Sequence, residues 1–176
     1  DKPIGGIDMK ITTKQLVLTA LLLAIGILLP MVFHSFGISG LVFLPMHIPV
    51  LLCGLVCGWS LGGIVGLVLP FISLLLTARP PLYPVGISMA LELASYGIVA
   101  GLLYKGKKSN IFVALIGAML AGRLVMGIAN VALLGLSNET LSAFISGAFV
   151  TALPGIILQL VLIPAIVLGL EKAKLI

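Results

Sequence analysis

The chain has 176 residues, 61% of them hydrophobic and only 9% charged, with ten Lys and Arg against five Asp and Glu for a net charge of +5. Soluble domains typically carry about 25% charged residues, so these few cannot clothe a water-facing surface, and a soluble globular fold is excluded. An apolar exterior suits lipid as solvent, and the mean hydropathy of +1.34 agrees.

Residues 1–8 read as an expression remnant or a disordered lead-in, because Met9-Lys10 reads like a natural start. Residues 9–176 are expected to form one all-α integral membrane domain. A spanning helix needs roughly 20 mostly apolar residues, and six candidates follow. The first covers residues 14–33, with Thr12 and Thr13 as caps. A short link with His34, which solvent can satisfy, leads to the second, residues 41–57, interrupted by Pro45 and Pro49. After Gly58-Trp59-Ser60 the third covers residues 61–77, and Arg79-Pro80-Pro81 breaks the chain. The fourth spans residues 84–104, and residues 105–110 (KGKKSN) are a loop. The fifth spans residues 111–136, with a turn at 137–139. The sixth occupies residues 141–170, long enough to tilt or to bend at Pro154 and Pro164.

The basic residues set an orientation. With the N-terminus inside, Lys2, Lys10, Lys14, Lys105, Lys107, Lys108, Lys172 and Lys174 fall on the cytoplasmic side and only Arg79 outside, as the positive-inside rule expects. Both termini are then cytoplasmic, and the positive charge reports topology rather than nucleic-acid binding. Small residues recur four apart, as Ala20 and Ala24, Gly62 and Gly66, and Gly97 and Gly101, a spacing that lets helix backbones approach. Cys53 and Cys57 share a helix face, and without His or carboxylate neighbours they read as packing residues rather than metal ligands.

Ionisable residues inside a membrane are costly and are functional candidates. Ser88, Glu92 and Tyr96 lie on one face of the fourth helix. Arg123 and Asn130 share a face of the fifth, and a Glu92–Arg123 ion pair neutralises both charges. The pair has two readings, a structural clamp between helices or the lining of a polar ligand cavity. His47 sits between two prolines, and Arg79 and Tyr83 flank a proline-rich external loop. Gln159, in the sixth helix, reads equally as packing or lining. No Walker A sequence, HExxH or GxSxG occurs, so neither ATP hydrolysis nor another enzymatic activity is expected, and no cofactor or metal.

The six-helix plan, the Ala20-Leu-Leu-Leu-Ala24 motif, and the segments LPMHIPVLLCG (44–54), RPPLYP (79–84) and ELASYG (92–97) resemble the substrate-binding S components of energy-coupling factor (ECF) vitamin transporters. The resemblance covers nearly the whole chain from Met9. It implies a multi-pass protein of the bacterial plasma membrane that captures a small vitamin outside, in a pocket in the external half. It implies partners as well. Helix one, through Ala20 and Ala24, docks on the transmembrane coupling protein EcfT, two cytosolic ATPases supply energy, and the S component topples to release ligand inside. On this likeness Glu92, Tyr96, Arg123 and Asn130 fall where ligand contacts are expected, with His47, Arg79 and Tyr83 near the entrance. A B6 vitamer such as pyridoxine suits a net-neutral Glu–Arg pair beside an aromatic ring and ranks narrowly ahead of pantothenate, whose carboxylate asks for an unpaired cation. The alternative is a stand-alone secondary transporter or channel for a small polar solute, against which the lack of internal repeats and of an ion relay counts.

Overall fold

The computed structural model describes residues 11–38 and 40–174, which are helical with short connections and no strand among them. Residues 1–10, which hold the lead-in before Met9 and the lysines Lys2 and Lys10, lie outside the described residues. Helix α1 is Thr13–Ser35, opened by a capping box in which Thr12 and Gln15 satisfy each other's backbone N–H groups. It is followed by α2 (Gly40–Phe43), α3 (His47–Cys57), α4 (Trp59–Thr77), α5 (Ile87–Gly101), α6 (Ile111–Leu134), α7 (Asn138–Ile145) and α8 (Leu153–Lys172). A wide π-type turn, Leu102–Gly106, extends α5 at its end, and Leu82–Gly86 leads into its start across a kink at Tyr83, whose backbone is extended (φ −118°, ψ 136°); together they make a 25-residue run, Leu82–Gly106. A similar turn, Ser146–Thr151, follows α7.

Among the described residues five helical runs are long and apolar enough to cross a membrane: α1, α4, the extended α5, α6 and α8. The expected second span is divided. Leu44 adopts a left-handed φ of 50° and Pro45 follows it, so α2 stops at Phe43 and a new helix begins at His47. At 11 residues, α3 rises only about 16 Å and does not cross a 30 Å core alone. The expected sixth span is divided as well. The helix begins earlier, at Asn138 capped by Ser137, and breaks at Ala152, where Pro154 sits in the first turn of α8 because proline is best tolerated there. The fifth helix ends two residues early, at Leu134, since Gly135 takes a φ of 83°. His34 belongs to the last turn of α1 rather than to a loop, and it is exposed.

The short α3 is the centre of the bundle. Every residue from His47 to Cys57 is buried, with α1, α4, α5 and α8 around it. Helices α3, α4 and α5 meet backbone to backbone, because a Cβ on Gly97 would collide with Gly62, and one on Gly62 with Gly54. The glycine spacing noted in the sequence is therefore a packing device. Cys53 donates a weak hydrogen bond to Thr19 at 3.8 Å across the α1–α3 contact. By contrast α1 buries only Gly26, and both Ala20 and Ala24 are exposed. Apolar side chains such as Leu67, Leu124 and Val161 also face outwards, which a lipid exterior accommodates.

One end of the bundle gathers the ends of four helices. Gln15 donates to the carbonyl of Cys57 at 3.2 Å, and Lys105 donates to that of Val56, so two orphan carbonyls at the end of α3 find partners. Tyr104 donates to Glu171 at 2.6 Å, joining α5 to α8. This end also carries Lys14, Lys105 and Lys172.

Candidate functional site

A carboxylate inside the bundle needs a counter-charge, and Glu92 finds one on the neighbouring helix. Its Oε1 lies 2.8 Å from Nη1 of Arg123, so the ion pair expected from the sequence forms. The two groups are close without the alignment of a hydrogen bond, for Oε1 has no hydrogen-bond partner and Nη1 faces the sulfur of Met126 at 3.7 Å. The other carboxylate oxygen stands 3.4 Å from Nε2 of His47. Glu92 thus bridges a cation on α6 and an imidazole on α3. The restart of the helix after Leu44 puts His47 in the first turn of α3 and deep in the interior.

Tyr96, one turn beyond Glu92, meets the His47 ring edge to face, with centroids 5.1 Å apart and planes at 63°. Its ring lies against α6 at Gly122, where any Cβ would overlap it. The glycine beside Arg123 therefore lets the aromatic ring sit on the α6 backbone, a role the sequence did not single out. Ser88 shares the buried face of Glu92 and Tyr96, but its hydroxyl is engaged by the carbonyls of Pro84 and Val85, each at 3.2 Å.

Glu92, His47 and Gln159 are each 1% exposed and Arg123 5%, yet much of their hydrogen-bonding capacity is unspent. Both ring nitrogens of His47, Oε1 of Glu92, Nε and Nη2 of Arg123 and Nε2 of Gln159 are buried without a hydrogen-bond partner. Native proteins leave few such groups, because each costs about 1–3 kcal/mol. At 1.5 Å per helical residue, His47, Arg123, Gln159 and Glu92 stand roughly 15–21 Å from the lysine-bearing end. By that count they fall at similar depths, and α8, which carries Gln159, packs against both α3 and α6.

The remaining residues singled out from the sequence lie apart from this cluster. Asn130 is half-buried, seven residues beyond Arg123 on α6. Arg79 and Tyr83 are exposed at the α4–α5 connection. There the carbonyl of Arg79 accepts from Ser73 at 2.9 Å and from Thr77 at 3.2 Å. The Tyr83 hydroxyl donates to the carbonyl of Leu133, tying this connection to the end of α6.

Nothing in the cluster pairs a nucleophile with a base, and among the described residues no three His, Cys, Asp or Glu side chains converge as metal ligands. What the arrangement offers is recognition: donors and acceptors held in a dry interior. A family model described as "ECF transporter, substrate-specific component" matches residues 14–167. Searches of curated proteins and of solved structures return no match.

Proposed function

The chain belongs to the substrate-specific components of ECF transporters, multi-pass proteins of the bacterial plasma membrane, and on that premise we propose that it captures a water-soluble vitamin from outside the cell on the Glu92–Arg123–His47 cluster. The observation that carries the reading is the concentration of buried, unpartnered polar atoms around that cluster, a state that a bound solute relieves. Tyr96 lines the proposed site beside them, Asn130, two turns further along α6, meets the solute on the entrance side, and Arg79 and Tyr83 stand at the entrance. The vitamin is a B6 vitamer such as pyridoxine or, ranked just behind it, pantothenate. Six passes with both termini cytoplasmic accord with the lysines of one end, α2 and α3 together supplying the second pass. Ala20 and Ala24, exposed on α1, dock on EcfT, and two cytosolic ATPases drive release inside.

Co-expression with EcfT and the two ATPases, followed by reconstitution into liposomes, tests this. The expected result is a four-subunit complex that accumulates pyridoxine or pantothenate only when ATP is present. Uptake of equal rate by this chain alone, without ATP, overturns it.

A further inference from the structure

The unspent atoms of the cluster define the kind of solute it takes. Resting on the proposed binding role, we infer that the solute carries no net charge, presents at least two hydrogen-bond acceptors to Arg123, and offers a donor to Glu92. Two observations meet here. The first is charge: Glu92 and Arg123 cancel at 2.8 Å, so the ion pair sums to zero in a site 1–5% exposed. A solute with a net charge enters that interior uncompensated, which desolvation penalises heavily.

The second is the inventory of partners. Nε and Nη2 of Arg123 lie on adjoining positions of a planar fork, which two neighbouring acceptors satisfy together. Gln159 Nε2 is one more donor at similar depth, and both ring nitrogens of His47 are free to bond. Glu92 Oε1 accepts only. A solute matching this set is rich in acceptors along one edge and donates from another. A zwitterion meets both conditions, its anionic oxygen towards Arg123 and its N–H or O–H towards Glu92. A simple carboxylic acid meets only the first and sets a second anion beside Glu92.

Calorimetric titration of the purified protein with pyridoxine (net neutral), pantothenate (an anion) and thiamine (a cation) tests the inference. Pyridoxine is expected to bind at least tenfold more tightly than either charged probe, and a charged probe that binds tightest overturns the inference. Glu92→Gln leaves the Arg123 cation unopposed, so pantothenate is expected to gain at least tenfold relative to pyridoxine; an unchanged ratio overturns it. Should that variant not fold, wild-type protein decides. The solute released by denaturing it, identified by mass spectrometry, is expected to be net neutral at pH 7, and a net charge overturns the inference. Assembly with EcfT separates the two proposals. A charged solute on a protein that still assembles sinks the charge rule alone, whereas failure to assemble, with nothing released and no probe bound, sinks the binding role as well.

Discussion

Glu92 and Arg123 make unequal demands on the fold, and a double-mutant cycle exposes the inequality. Glu92→Gln leaves a guanidinium that cannot shed its proton, with only the sulfur of Met126 at 3.7 Å to face it. Breaking a buried pair by removing one partner costs about 3–5 kcal/mol, and this variant belongs at the upper end of that range. Arg123→Met leaves a carboxylate that can still take up a proton and still has His47 at 3.4 Å, so its cost belongs at the lower end, about 3 kcal/mol. The double variant buries neither charge, and it is expected to lie at least about 2 kcal/mol above the sum of the singles in stability. Reversible unfolding in mixed micelles, followed by helical circular dichroism, measures all three. Strict additivity, or a larger loss from Arg123→Met than from Glu92→Gln, refutes the reasoning that the 2.8 Å contact is the chief counter-charge of each residue.

Three further outcomes follow from the packing. Gly97→Leu drives a side chain into the backbone of Gly62 and should abolish the monodisperse peak in size-exclusion chromatography, whereas Gly147→Leu, with open space at its Cβ, should leave that peak unchanged. Ala20→Trp alters an exposed position of α1; unfolding should not change, while copurification with EcfT should fail. Gln159→Leu removes a buried donor without a partner and should stabilise the empty protein by about 1–3 kcal/mol while weakening solute binding in the same titration; equal affinity would remove Gln159 from the site.

The sequence revealed the parts of this fold that composition and charge govern. Lipid as solvent admits long apolar helices, so most spans were legible to within a few residues, and two lone charges in adjacent spans had to find each other, as Glu92 and Arg123 do. It marked an interruption at Pro45, but did not show that the chain turns there through a left-handed Leu44 and begins a separate helix at His47. That break decides the place of His47. Read as part of one long helix, the histidine stood near the entrance; as the first residue of α3 it reaches Glu92 in the interior. The burial of α3 was equally hidden, because an apolar helix surrounded by other helices and one surrounded by lipid have the same composition. Gln159 stayed ambiguous for the same reason, since its depth depends on the break at Ala152.

The most direct test of the binding site is a structure of the protein with its solute bound. The account predicts solute atoms within hydrogen-bonding distance of Nε and Nη2 of Arg123 and of Oε1 of Glu92, with His47 and Tyr96 against its ring or edge. A solute held elsewhere, with those atoms bonded only to water, would contradict it.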